Sequence, residues 1–186
     1  MAAKRARAPR GEATEEDFYC TPPWAIEAVR RFVPPGVRIW EPTFGAGAIS
    51  SVFEDAGHVV LKSDKFPKEA HPCEMIDFLT QTPTEERFDW IIFNPPFSQM
   101  GEFLKRACDL GTPFAMLCPL YTFETPLRFS LIRDHQLSVL ILNKRCNFRK
   151  ANGEEKKGTP FLSVWLMKHP EHQSKILFQY RLRRVL

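Results

Sequence analysis

Residues 88–98 read Phe88-Asp89-Trp90-Ile91-Ile92-Phe93-Asn94-Pro95-Pro96-Phe97-Ser98. The run up to Phe93 is apolar, β-branched and aromatic, the composition of a strand buried on both faces. It has to stop at Asn94, because Pro95 and Pro96 lack an N–H and have a fixed φ, so neither continues a strand inside a parallel sheet. Asn94–Phe97 therefore falls at the carboxyl end of a strand, where open α/β sheets form their ligand crevice. It collects there a side-chain amide, a carbonyl on a rigid backbone and an aromatic face. Those groups suit a planar molecule that carries an NH2.

The flanking sequence repeats a strand–helix rhythm. Thr21 is read as an N-cap, with Pro22 at the first helical position and a helix running to Val33. Val37–Trp40 reads as a strand, 48–56 as a helix ended by Gly57, and 59–63 as a strand closed by Asp64. A short helix is expected near Met75–Leu79. After the Asn-Pro-Pro-Phe turn come a helix over 100–110, a strand over 113–119, a helix near 126–134 and a strand over 137–143. Residues 161–167 and 176–182 read as further strands. Alternating strands and helices predict right-handed βαβ units and a parallel sheet. The expected architecture is a single Rossmann-like α/β domain over 17–186 with a mostly parallel, seven-stranded sheet. Strands 137–143 and 161–167 are expected to form an antiparallel hairpin at its C-terminal edge, with 149–158 as the tip. Residues 1–16 read as a disordered basic tail.

Composition narrows the class. With 44% hydrophobic and 26% charged residues the chain reads as a folded soluble domain. No apolar run reaches the ~18 residues of a membrane span, and the basic N-terminus lacks the apolar core of a signal peptide. The expected location is cytoplasmic, or nuclear in a eukaryotic host. Cys20, Cys73, Cys108, Cys118 and Cys146 form no Cys-x-x-Cys pair, which argues against zinc ribbons and iron–sulfur centres. His169 and His172 read as surface residues, and no metal site is expected. The net charge of +4 is unevenly spread: residues 144–186 carry +8 and the rest −4. A basic C-terminal part favours a polyanionic partner. The loop with Arg149, Lys150, Lys156 and Lys157, flanked by Arg145, is the candidate phosphate-tracking segment.

Glu41-Pro42-Thr43-Phe44-Gly45-Ala46-Gly47 lies between a strand and a helix. Gly45 and Gly47 permit a sharp turn and close approach to a ligand. Asp64 ends the next strand about 20 residues later, the place from which an acid accepts hydrogen bonds from ribose hydroxyls. The third position of Gly-x-Gly-x-x-Gly is Ser50, and no Walker lysine follows, so dinucleotides and triphosphates are disfavoured. A different nucleoside cofactor remains.

This combination resembles the S-adenosylmethionine-dependent amino-methyltransferases, most closely the N6-adenine methyltransferases of nucleic acids. The likeness spans roughly residues 17–167. It rests on Asn94-Pro95-Pro96-Phe97, on Glu41-Pro42-x-x-Gly45-x-Gly47, on Asp17-Phe18-Tyr19-Cys20-Thr21-Pro22 and on Asp77-Phe78. The resemblance implies S-adenosylmethionine as cofactor. It places Tyr19, Thr21, Pro22, Glu41, Pro42, Gly45 and Gly47 around the methionine end, Asp64 at the ribose, Asp77 at the adenine amine and Phe78 beside that ring. Asn94, which also borders the cofactor, and the Pro95 carbonyl would accept the hydrogens of the target NH2. Pro96 would stiffen the turn, and Phe97 would stack on a flipped-out base. DNA is the favoured substrate. No separate target-recognition domain is expected, so site choice would be loose, delegated to the 149–158 loop, or supplied by a protein partner or a homodimer. RNA, through adenine N6 or guanine N2, is an alternative target. So is protein glutamine, although relatives of that kind usually carry Tyr in place of Phe97. The non-enzymatic alternative is a nucleic-acid-binding protein with a vestigial cofactor fold; Gly45, Gly47, Asp64 and Asn94 speak against it.

Overall fold

The computed structural model describes residues 20–83, 87–147 and 161–178. Tyr19, Arg149, Lys150, Lys156, Lys157 and the tail 1–16 lie outside them. The elements are α1 (Pro23–Arg30), β1 (Arg38–Glu41), α2 (Ala48–Asp55), β2 (Val59–Asp64), β3 (Glu74–Met75), β4 (Trp90–Phe93), α3 (Met100–Leu110), β5 (Phe114–Pro119), α4 (Pro126–Asp134), β6 (Ser138–Ile141), β7 (Ser163–Lys168) and β8 (Ile176–Phe178).

Among the described residues the sheet has eight strands, one more than expected, in the order β3-β2-β1-β4-β5-β7-β6-β8. Only β7 runs against the others: it is antiparallel to β5, from Phe114↔Lys168 to Pro119↔Ser163, and antiparallel to β6. The β6–β7 pair is thus antiparallel as expected, but it does not form the sheet edge. β7 is inserted between β5 and β6, and β8 lies outside β6, parallel to it. The reason is visible in β7 itself. Ser163–Met167 are all buried, and a strand apolar on both sides belongs inside a sheet covered by helices.

The period of two along the strands divides the core between the faces. Ile39, Trp90, Ile92, Ala115, Leu117, Trp165 and Met167 pack with α1 and α2. Trp40, Ile91, Phe93, Phe114, Met116, Val164 and Leu166 pack with α3, Ile132 of α4 and Phe78. Trp165 Nε1–H donates to the Ala25 carbonyl at 2.9 Å, fastening α1 to a strand 140 residues away. A buried indole with its N–H satisfied combines a large apolar area with one directional contact.

Three local expectations are corrected. Pro22 (φ −65°, ψ 139°), not Thr21, is the N-cap of α1, and Pro23 opens the helix. A residue before proline is pushed out of the helical region, so Pro23 keeps Pro22 extended. No helix forms over 75–79. Residues 74–75 pair with β2 instead, Ser63↔Glu74 and Asp64↔Met75, and Asp77 folds a turn by accepting the Leu79 N–H at 3.1 Å. His169 is buried rather than superficial; its Nε2 meets the Phe32 carbonyl at 2.8 Å, and its Nδ1 accepts the Glu171 N–H at 3.0 Å. No helix among the described residues is long and apolar enough to cross a membrane.

Candidate functional site

The strand order reverses at β1. The chain proceeds from β1 to β2 and β3 on one side, then crosses to β4 and β5 on the other. The carboxyl ends of diverging neighbours leave a crevice at such a switch point, and β1 and β4 border it. Most of the residues singled out in the sequence stand at this rim.

On the β1–β2 side, the turn Pro42–Gly47 is built by two left-handed glycines, Gly45 at φ 57° and Gly47 at φ 74°. A Cβ on Gly47 would stand 2.9 Å from the Phe44 ring, so both space and backbone demand glycine there. The Gly47 N–H closes the turn on the Phe44 carbonyl at 2.8 Å, and the Phe44 N–H donates to Ser63 O at 3.0 Å. Asp64 organises this side. One carboxylate oxygen accepts the Gly45 N–H at 3.0 Å and the other accepts the Phe66 N–H at 3.0 Å. A carboxylate offers about four lone-pair positions, so Asp64 can shape both turns and still receive hydroxyls.

Glu41 ends β1 fully enclosed. Its Oε2 accepts the backbone N–H of Ser50, in the first turn of α2, at 2.9 Å, and also the Ser50 hydroxyl. Burial pushes its pKa up to about 8; the Ser50 hydrogen bonds and Lys62 oppose that rise, and Asp64 adds to it. Pro42 beside it is also buried. Glu41 therefore braces the turn from below.

Asp77 sits beyond β3. Burial acts to raise its pKa, but hydrogen bonds from Lys65 and the Leu79 N–H and the Lys65 charge prevail and lower it. Lys65 Nζ lies 2.9 Å from Asp77 Oδ2, a partner the sequence reading missed. Phe78 is placed differently from the ring-side position implied by the resemblance. It is 2% exposed, stacks on Phe103 at 5.3 Å and tilts against Trp40 and Phe93; it is a core residue.

On the β4 side, Asn94 is the first residue past the strand. Its Nδ2–H donates to Thr21 Oγ1 at 3.1 Å. Its backbone is clasped by Thr43, whose hydroxyl accepts the Asn94 N–H and donates to the Asn94 carbonyl, both at 3.2 Å. Thr21 is buried, 3% exposed. Three segments far apart in sequence thus meet at one residue. With the nitrogen directed at Thr21, the other end of that amide is an acceptor. Thr43 is a residue of this rim that sequence alone does not single out. Its signal was weak: it is one more residue of the glycine turn until Asn94 is brought beside it.

Pro95 is buried and Pro96 half-buried. The Pro96 carbonyl accepts the Gln99 N–H at 3.0 Å, which starts the short helical turn Phe97–Gln99. Phe97 is half-buried at its head. Pro22 is half-buried next to Thr21, and Arg145 is exposed beyond β6. Trp24 of α1 lies under Lys144 Nζ, 4.3 Å from the ring centroid, so the exit of β6 is tied to the helix that follows Thr21. Among the described residues no group of three or more His, Cys, Asp or Glu side chains could hold a metal ion.

No protein-family model matches the chain, and no curated protein matches it in sequence. Solved structures do match in shape. The 23S rRNA methyltransferase ErmE superposes with a TM-score of 0.57 at 14% identity, over 84% of this chain and 71% of its own. A chain assigned as the modification subunit of a type I restriction enzyme from Vibrio vulnificus YJ016 gives 0.55 at 14% identity over 89% of this chain; the match spans 48%, about half, of that subunit. A protein assigned as an O-methyltransferase from Agrobacterium tumefaciens gives 0.54 at 10% identity, over 84% of each chain. At these identities the likeness shows the fold, an α/β domain of the methyltransferase kind.

Proposed function

We propose that this domain transfers a methyl group from S-adenosylmethionine to the N6 amine of adenine in nucleic acid, DNA being favoured. The observation that carries this reading is Asn94. It stands one residue past β4, beside the switch point, its amide held by Thr21 and its backbone clasped to the glycine turn by Thr43.

The crevice divides into two functional halves. The β1–β2–β3 side offers acceptors, Asp64 and Asp77, around a glycine turn. That set fits a nucleoside with ribose hydroxyls and an exocyclic amine. Thr21, Pro22, Gly45 and Gly47 would hold the methionine end, braced from beneath by Glu41 and Pro42, with Tyr19 a further contact proposed from the sequence. Asp64 would take the ribose and Asp77 the amine, which requires Lys65 to share or leave that carboxylate. When bound, S-adenosylmethionine supplies an electrophilic methyl group.

The β4 side holds the acceptor. An aromatic amine is a poor nucleophile because its lone pair is delocalised into the ring. Asn94 Oδ1 and the Pro95 carbonyl, accepting its two hydrogens, favour the geometry that frees this pair. As positive charge develops on the nitrogen, the same two dipoles stabilise it, with no reorganisation needed at that moment. Thr21 contributes by anchoring the Asn94 amide, and Thr43 by fixing the Asn94 backbone relative to the glycine turn. The N–C bond would form as the S–C bond breaks, with that electron pair staying on the sulfur of the departing S-adenosylhomocysteine and the extra proton on nitrogen passing to solvent, so no covalent enzyme intermediate is required. A base in a duplex has to leave the stack to reach this crevice, with Phe97 as its stacking partner. Arg145, together with Arg149, Lys150, Lys156 and Lys157, is proposed to contact phosphates.

The test uses cofactor with an isotope-labelled methyl group on duplex DNA, single-stranded DNA and RNA, followed by digestion and mass spectrometry of nucleosides. Labelled N6-methyldeoxyadenosine, lost in Asn94→Ala, is expected. Label confined to RNA nucleosides moves the target to RNA. Label in no nucleoside overturns the proposal.

A further inference from the structure

We propose that the turn after β5 forms a second stacking position, which binds the nucleobase next to the target on the same strand. This rests on the nucleic-acid reading above. Pro119 at the end of β5 pairs with Ser163 at the start of β7. The turn Leu120–Glu124 and residue Phe161 therefore stand on the same rim of the sheet as Asn94–Phe97. Their rings are in contact. Phe161 meets Phe97 edge-on, with centroids 5.5 Å apart and planes at 76°. It meets Tyr121 likewise, at 5.5 Å and 87°. An unbroken aromatic series thus leads from the proposed target position to the surface.

The outer end of that series is open and apolar. Tyr121 is 38% exposed, and Leu120 and Leu127 are 44% and 62% exposed. The turn that carries Leu120 and Tyr121 is firmly held. The Leu120 N–H donates to Leu162 O at 2.8 Å. Arg128 of α4 donates from Nε to Thr122 O at 2.8 Å and from Nη2 to Tyr121 O at 3.2 Å. Such a shelf is already ordered, so little freedom is lost when a ligand lands on it. Arg128 uses two of its five N–H donors on these carbonyls, which fixes the backbone under Tyr121. A planar, unstacked base suits an aromatic ring whose inner neighbour is already in place, and a base flanking a flipped-out target is what continuity with Phe97 would bring there.

The experiment measures binding of single-stranded thymine oligonucleotides, about 12 nucleotides long, with one central adenine, by fluorescence anisotropy in the presence of S-adenosylhomocysteine. Two further oligonucleotides carry an abasic site on the 5′ or the 3′ side of the adenine. Stacking on one aromatic ring is worth roughly a tenfold change in affinity. Wild-type protein should therefore bind one of the abasic oligonucleotides roughly tenfold more weakly than the intact one. Tyr121→Ala and Tyr121→Leu should bind the intact oligonucleotide roughly tenfold more weakly and lose nothing further at the abasic site. Tyr121→Phe should behave as wild type. The wild-type comparison needs no substitution, so the idea stays testable if a variant fails to fold. Wild-type indifference to both abasic sites overturns the shelf, as does an abasic penalty of equal size in wild type and the Tyr121 variants. Wild-type binding to none of these oligonucleotides, nor to their duplex and RNA counterparts, with S-adenosylhomocysteine still bound, overturns the nucleic-acid reading itself.

Discussion

Replacing Glu41 with glutamine tests the electrostatics of the cofactor side. The Glu41 side chain is 1% exposed, and burial raises its pKa from 4.5 to about 8. The unfolded chain releases this proton near 4.5, whereas the folded protein keeps it until about 8. Across that window the folded state binds more protons, so stability falls as pH rises. The contribution is whole below the lower value and lost above the upper one. A gap of about 3.5 pH units at about 1.4 kcal/mol each sets a ceiling of roughly 5 kcal/mol. Glutamine keeps the shape, and its carbonyl can still accept from Ser50, but it cannot ionise. The assay is urea unfolding of both proteins between about pH 5 and about pH 9. The difference in their unfolding free energies should grow with pH, the variant gaining by several kcal/mol at the alkaline end. Histidine titrations are common to both proteins and cancel. A difference that stays constant across the range refutes the claim that Glu41 is held neutral by burial.

Three further outcomes are expected. Asn94→Ala should abolish turnover while calorimetric affinity for S-adenosylhomocysteine stays within about threefold, since on the proposed mechanism it removes an acceptor for the target amine; a variant with normal turnover refutes that role. Asp64→Ala should weaken cofactor binding and also lower stability by about 1–3 kcal/mol, because the Gly45 and Phe66 N–H groups lose their acceptor; unchanged affinity in the same titration removes Asp64 from the cofactor site. Gly47→Ala should cost about 1–3 kcal/mol by thermal unfolding, from a strained left-handed residue pressed on the Phe44 ring, and an unchanged midpoint would show that the turn can relax.

Legibility from sequence tracked how local the determining physics is. Asn94 could be placed at a strand end because two successive prolines stop a strand in any context. The glycine turn was equally local, since a left-handed backbone selects its own residue type. β3 was not legible: Glu74 and Met75 are both exposed, and two residues held only by pairing to β2 leave no periodic trace. Asp77 looked like part of a helix because an acid that accepts the N–H two residues later imitates a helix cap. Phe78 follows Asp77 in the chain, yet Trp40, Phe93 and Phe103 claim its ring, and none of them is near it in sequence. Thr21 was read as a local cap, whereas its hydroxyl serves an amide 73 residues away. The insertion of β7 was hidden for the same reason. An apolar strand announces that both its faces are covered, not which neighbours flank it.

The placement of β7 also sets a timetable for biosynthesis. β5, six residues that are all buried in the finished fold, is complete at Pro119, but the strand that seals its outer edge begins only at Ser163. At roughly 5–20 residues per second, a ribosome needs several seconds to cross that interval. Throughout it, the nascent chain presents an apolar strand with unpaired N–H and C=O groups, the kind of edge that recruits strands from other molecules. β6 emerges first yet belongs one place further out, so it has to be kept from occupying the position reserved for β7. A chain released early, between β6 and β7, would therefore carry the proposed methyl-transfer rim on a sheet left open along its middle, with the β5 edge exposed to pairing.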